Sequence, residues 1–450
     1  RYEIPQRDFE IDLKNAYGGK VKFFWTVGKA FAHRGAGYVP LHKVGGFGEG
    51  FFTSSEGVLL RSSNLLTERD ASRIVWETWP EGVKGIRTPE GGGPIAEEHS
   101  FSVMSDGSLF CVFRTIDGHP ACTYSRDDGR SWEPSAYMRF ASGRLMKHPR
   151  AANFAWRCEN GKYLYWFHNH GGRFIREHAR RRSIAYEERN PVWLCGGVEV
   201  DGPRGKVVSW SEPEIALYDD DPMVRMSYPD LIEDGGVYYL TETQKDVARV
   251  HAVDPALLNG LWEQGSRTGA AGSGLLLWAS GGGDLAAPEF PLFVKRSRRA
   301  DYGTEHTRAG VSLDVWFEGG SVLVENFDSS GRGFWLQVVD GGRVELTLND
   351  GRVQNRWASD AGTVVAGKMC HAVVIVDGGP NVIAMVMDGR VCDGGEERQF
   401  GWGRFHPALQ SLNGGAKVKV GAGVKRLLVY GRALRTSEAI ASWRAAGLLR

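Results

Sequence analysis

The chain has almost no net charge. Its 55 Lys and Arg against 54 Asp and Glu leave +1 at neutral pH, so no general field draws it to nucleic acid or to a membrane surface. No apolar run approaches the ~20 residues of a membrane-spanning helix. Cysteine is scarce: Cys111, Cys122, Cys158, Cys195, Cys370 and Cys392 lie far apart, without the C-x-x-C spacing of zinc modules. Cys111 and Cys122 are placed to face each other across a hairpin near Ile116-Asp117, which allows one bridge; buried free thiols are the main reading. No signal-peptide pattern follows Arg1, so the chain reads as a mature or trimmed product, secreted or periplasmic, with a cytoplasmic location left open. Helical periodicity is nearly missing from the first 264 residues. What is plentiful is Gly (60) and Trp (15), which suits a turn-rich β protein whose site stacks on sugar rings.

Residues Glu98 to Trp132 show the pattern most clearly. Ser100 to Met104 alternates, Ser105-Asp106-Gly107 turns, Leu109 to Arg114 alternates back, and Asp117-Gly118 turns again. The run Ser125-Arg126-Asp127-Asp128-Gly129-Arg130-Ser131-Trp132 then fits S-x-D-x-G-x-x-W. In such a run the Ser and Asp side chains tie the turn's own backbone, Gly129 takes a positive φ, and Trp132 packs beneath the hairpin.

That run resembles the Asp box of sialidase-type β-propellers, a marker of fold on the outer turn of a blade. Glu98, Asp106 and Arg114 keep the spacing of a sialidase Glu, turn and Arg. Arg189-Asn190-Pro191-Val192-Trp193-Leu194 is similar to the strand that carries a later substrate-binding Arg. Met226-Ser227-Tyr228-Pro229-Asp230-Leu231, with Gly235, Gly236, Thr241 and Glu242 beyond, resembles the segment that delivers the catalytic Tyr. The resemblance covers residues 95 to 245.

Short strands with turn punctuation continue from residue 9 to residue 252, and Asp254-Pro255 caps a helix over Ala256 to Trp262. At about forty to fifty residues per blade, residues 1–264 make a five- or six-bladed propeller. Residues 265–290 change to Gly-rich composition and read as a linker or the first strand of a second domain. Residues 291–450 form that second all-β unit. His371 to Gly378, Val386-Met387-Asp388-Gly389 and the ending Leu427 to Leu434 resemble a laminin-G or concanavalin-like sandwich. A C-terminal helix closes the chain, with Thr436 and Ser437 as caps and Glu438 in its first turn. The expected fold is therefore all-β, a propeller joined to a sandwich, with the two halves folding separately.

The resemblance implies a chemistry. A Tyr nucleophile avoids the repulsion that a carboxylate nucleophile would meet from an acidic sugar, and a neighbouring Glu takes its proton. Tyr228 is then nucleophile and Glu98 its base. Arg114 and Arg189 are two of three arginines clamping the sugar carboxylate, with Arg173 a second candidate for the later one. Arg150, His168, Asp230 and Glu242 are further substrate-binding candidates. The chain departs from the family at its start. Tyr2-Glu3-Ile4-Pro5 stands where sialidases carry Arg-Ile-Pro, and only Asp8, Asp12 and Asp70 precede Glu98 as possible acids.

Histidine is concentrated instead: His33, His42, His99, His119, His148, His168, His170 and His178 all precede residue 180. His99 beside Glu98, and His170, are catalytic candidates that supply the missing acid. A weak metal reading adds Cys158 or Cys195; no metal or other cofactor is expected. Three functions are compatible with these residues. The first is a sialidase-like hydrolase releasing a terminal acidic sugar. The second is a lyase of the ulvan type, with His and Tyr acting on a uronate. The third is a glycan-binding protein without turnover. All three partner the chain with a glycan or polysaccharide.

Overall fold

The computed structural model describes residues 22–44, 54–81, 84–178, 188–219, 221–243, 247–293 and 310–446. The strands expected over residues 9–13 and 50–53 lie outside these. Among the described residues the first half builds four antiparallel sheets in chain order; the spacing predicts five or six blades. The first holds Lys22–Trp25, Phe31–His33, Ala36–Val44, Ser55–Ser62 and Glu77–Trp79. The second holds Glu97–Val103, Leu109–Arg114, Ala121–Ser125 and Ala136–Tyr137. The third runs from Phe154–Arg157 and Tyr163–Phe167 through Val192–Gly202 to Gly205–Trp210, with Glu214–Leu217 beside it. The fourth is Ser227–Asp234, Val237–Thr243 and Ala248–Ala252. Val192 to Val200, which reads as two strands, lies within one long strand with three partners.

Neighbouring sheets touch in a cyclic order. Asp128 joins His33 at 3.0 Å, Ser100 Oγ donates to Ala155 O at 3.0 Å, and the Glu159 amide donates to Glu233. Lys29 Nζ then meets Asp230 at 2.6 Å, linking the fourth sheet to the first. The turn after Ala121–Ser125 ties itself as its sequence requires. Ser125 Oγ donates to Asp127 and accepts from the Gly129 amide, each at 2.8 Å, while Trp132 Nε1 donates to Gly129 O. Cys111 and Cys122 form no bridge, and every cysteine is free. Cys111 pairs with Thr123 and Cys122 with Val112, so the two thiols point to opposite faces of the sheet.

A short helix α1 (Arg173–Glu177) and a longer α2 (Pro255–Glu263), capped by Asp254, complete the first half. The second half is a seven-stranded and a six-stranded sheet face to face, followed by α3 (Thr436–Ala446). Leu275–Ala279 and Gly283–Ala286, from the Gly-rich segment, become edge strands of the two sheets. The stretch over residues 418–429, which reads as one strand, breaks at Gly421 and Gly423 into Lys417–Val420 and Val424–Tyr430, one in each sheet.

Strand Cys370–Asp377 is buried along its whole length, and the reason is packing on both faces. Ala372, Val374 and Val376 face the sandwich core. Val373 and Ile375 face the first half, in a cluster that also contains Phe110, Phe140, Tyr165, Phe167, Trp193 and Trp210. The two halves therefore share a core, with each buried aliphatic side chain worth about 1.5–3 kcal/mol. Polar contacts reinforce it. Lys147 Nζ reaches the carbonyls of Asp393 and Gly395 at 2.7 and 2.6 Å, and Trp402 Nε1 donates to Asn169 O. Expression of residues 1–270 and 285–450 apart is expected to give poorly soluble fragments, each with this apolar face uncovered. Two soluble fragments that each unfold cooperatively would contradict that expectation.

Candidate active site

Glu98 and Tyr228 are presented by the same backbone device. In the second sheet Glu97 pairs with Arg114, and the next pairing is Ser100 with Val112. In the fourth sheet Ser227 pairs with Thr243, and the next is Asp230 with Thr241. Each interruption is a bulge, and each holds a left-handed residue: Glu98 at φ 56° and Tyr228 at φ 48°. Non-glycine residues adopt this region at a cost of about 1–3 kcal/mol. A bulge turns a side chain out of the strict alternation of its strand. Here it lets consecutive Glu97 and Glu98 both reach Arg114, which a regular strand would forbid.

Arg114 is almost wholly buried between these carboxylates. Its Nε and Nη2 donate to Glu97 Oε2 at 2.9 and 2.6 Å, and its Nη1 lies 3.0 Å from Glu98 Oε2. Glu97 also accepts from Arg150 Nη2 at 3.2 Å. Arg189 is different. Its Nη1 donates to Ser227 Oγ at 2.7 Å, and among the described residues no carboxylate stands within ion-pair distance of it. Arg114 and Arg189 are both within electrostatic range of Glu98 and of Tyr228.

Burial pushes the Glu98 carboxyl above its usual range, with Arg114 pulling down and Glu97 adding to the rise. Burial also opposes the charge on Arg114, yet the Glu98 and Glu97 carboxylates outweigh it and hold that guanidinium above its ordinary value. Arg189 moves the other way. Burial and the repulsion of Arg114 lower it, and Tyr228 and Glu98 only partly compensate. The site thus holds a carboxylate with heightened proton affinity beside a cation that the protein leaves under-neutralised. An anionic ligand would correct the second.

Of the remaining candidates, Arg150 joins the cluster through Glu97. Asp230 is two residues from Tyr228 and bonds Lys29. Glu242 is buried against Arg249 at 3.1 Å and His251 at 3.5 Å. Arg173 stands apart on α1, paired with Glu177 and Glu396 on the surface. The histidines pack rather than converge. His99 lies 4.7 Å from the Phe113 ring, in a space kept open by Gly57, where a Cβ would come 2.3 Å from its Nε2. His168 stacks on His148. His170 donates through Nε2 to Glu188 O and accepts from Gln399 through Nδ1, under the Phe400 ring. Burial lowers all of them, His148 and His170 to about 3. Burial thus disfavours the charged form of each of these rings. Among the described residues no three His, Cys, Asp or Glu side chains group as metal ligands.

Asp70 caps the turn Ala71–Arg73 on the surface, while Asp8 and Asp12 lie outside the described residues. Glu97 and Ser227 are members of the cluster that their sequence surroundings do not betray. Glu97 adjoins a candidate and so reads as facing away, because alternation is the default and a bulge has no strong local signature. Ser227 reads only as a neighbour of Tyr228.

No family model matches the chain, and no curated protein matches it. Comparison with solved structures finds distant similarity to trypanosomal and bacterial sialidases. Trypanosoma rangeli sialidase in complex with the inhibitor DANA is 12% identical with a TM-score of 0.31, over 94% of this chain and 71% of that one. The intramolecular trans-sialidase from Ruminococcus gnavus with oseltamivir carboxylate is 16% identical with a TM-score of 0.32, over 52% of this chain and 43% of that one. The CBM40 of the R. gnavus IT-sialidase, bound to alpha2,3 sialyllactose, is 14% identical with a TM-score of 0.26, over 37% of this chain and 98% of that one.

Proposed function

We propose that this protein is a sialidase-like glycoside hydrolase releasing a terminal acidic sugar from a glycan. Its first half is then a degenerate propeller, a reading supported by the cyclic contacts of the four sheets. The observation that carries the proposal is the pair of left-handed bulges that present Glu98 and Tyr228 beside Arg114 and Arg189. Two strained bulges at one cluster serve function better than stability.

Glu98, its proton affinity raised by burial, takes the phenolic proton of Tyr228. The phenolate oxygen attacks the anomeric carbon as the glycosidic C–O bond breaks, and the leaving oxygen takes a proton from a general acid. Water then cleaves the tyrosyl–glycoside bond, giving one proton to the conjugate base of that general acid, and Glu98 returns its proton to the Tyr228 oxygen. Arg114, Arg150 and Arg189 hold the sugar carboxylate. Glu97 fixes the first two of these, so little ordering is left for the substrate to impose.

The test is a screen of aryl glycosides of sialic and uronic acids, together with acidic polysaccharides, read for reducing ends and for ultraviolet absorbance. Reducing ends without absorbance support hydrolysis. An absorbing, unsaturated product would replace this reading by the lyase, and binding without turnover would replace it by a lectin. Arg189→Ala separates binding from folding. It is expected to weaken an acidic sugar by about 2–5 kcal/mol and to leave the melting temperature unchanged or raised, since no carboxylate among the described residues loses an ion-pair partner. An unaltered KM would remove Arg189 from the site.

A further inference from the structure

The two halves line an open cleft of about 520 Å³, which shares no residue with the cluster just described. Its walls come from the third sheet, the end of α2, the turn Asp388-Gly389-Arg390 and α3. We propose that it is a second, non-catalytic binding site, for an uncharged sugar unit of a glycan. Its volume falls within the roughly 300–1,000 Å³ of small-ligand sites, which favour such junctions.

Three indoles line it: Trp210, Trp262 and Trp443. Each is held in place by its surroundings. Trp210 packs 5.5 Å from the Tyr165 ring, and Trp262 Nε1 donates to Tyr163 O at 2.8 Å. Trp443 lies over Gly389, where a Cβ would come 2.4 Å from its ring, so only glycine lets the indole settle there. Trp443 nevertheless remains 37% exposed. The axial C–H groups of a pyranose carry a slight positive charge and settle on the negative face of such a ring.

Of the polar groups on the lining, the Ser209 hydroxyl can donate to and accept from a sugar hydroxyl and the Arg390 guanidinium can donate to one, while Ser211 and Gln264 are bonded to the backbone of Gly196 and Glu212. Charges of both signs line the wall, Glu212 and Asp388 against Arg390 and Arg444. Glu212 is already engaged by Arg144 and Ser142. The balance gives no pull on an anion, unlike the arginine cluster. Ser209 and the rim residue Arg390 give the indole-lined wall a polar side. A neutral sugar meets both conditions.

The experiment titrates the full chain carrying Arg189→Ala with lactose, cellobiose and chitobiose, by calorimetry and by saturation-transfer NMR. At least one is expected to bind in the millimolar range. Adding Trp443→Ala is expected to weaken that binding at least tenfold, and Arg390→Ala, at the exposed rim, severalfold. Trp443→Ala alone should hydrolyse a small aryl substrate at the parental rate. No binding by any of the three sugars, or binding indifferent to both substitutions, would overturn the proposal. Should Trp443→Ala fail to fold, Arg390→Ala decides. Loss of the hydrolase reading leaves a Trp443-dependent site standing, so the two can fail separately.

Discussion

Tyr228→Phe is expected to lower kcat by a factor of about a thousand or more while leaving the affinity for product or inhibitor within about twofold. The substitution removes one oxygen and keeps the ring. Tyr228 is half-buried and packs against the core between the third and fourth sheets, so the ring's packing is retained. Its left-handed φ of 48° is set by the bulge between Ser227 and Asp230, which does not depend on the hydroxyl. Arg114 and Arg189 are untouched, so the charge that holds an acidic sugar remains. Single-turnover kinetics with an activated fluoride would check the step, because no covalent intermediate can then accumulate. Full activity in Tyr228→Phe would place the reacting centre elsewhere. The companion substitution Glu98→Gln should remove the acid limb of the pH–rate profile. In the parent protein that limb lies above the usual carboxylate range, because burial raises the pKa of Glu98.

Much of this architecture is legible in the sequence because the signals are local. Gly333–Val339 is a short apolar run and Arg343–Asn349 alternates, and both end at Gly or Asp turns, so the observed strands match the expected ones. Asp254-Pro255 fixes the start of α2 for a reason internal to two residues. Glu98, Arg114, Arg189 and Tyr228 are legible only through a resemblance of spacing. Composition and periodicity say nothing about which of 55 basic residues converge. The illegible part is long-range. His170 lies in a histidine-rich run that suggests chemistry, yet its surroundings are set by Gln399 and Phe400, more than two hundred residues away. The double-faced burial of Cys370–Asp377 likewise depends on the first half arriving on one side. Alternation is also the wrong default at a bulge, which is why Glu97 does not stand out beside Glu98.

Acidification from pH 7.5 to pH 5 is expected to destabilise the protein steeply, before the Asp106 and Asp127 carboxylates, which are lowered, begin to titrate. His148 and His170 are buried, and burial lowers both to about 3 in the folded chain, against about 6.5 when unfolded. Between those values the unfolded chain binds protons that the folded chain refuses. The stability these groups contribute is therefore complete above about pH 6.5 and is lost as pH falls toward 3. Each such proton is worth about 1.4 kcal/mol per pH unit, so these two alone give a slope of about 3 kcal/mol per unit near pH 5. His99 and His168, lowered in the same direction by burial, add to it. Glu98 opposes them, since a raised carboxyl pKa binds its proton more readily in the folded chain. One group against four does not reverse the sign. Against a net stability of roughly 5–15 kcal/mol for a folded domain, the loss is large enough to unfold the chain before the Asp127 and Asp106 carboxylates protonate. Urea unfolding at half-unit pH steps measures the slope directly. His170→Gln, which keeps an acceptor and a donor but cannot be protonated there, should reduce it by about one proton's worth. A stability that stays flat from pH 7.5 to pH 5 would show that these rings are not held neutral by burial.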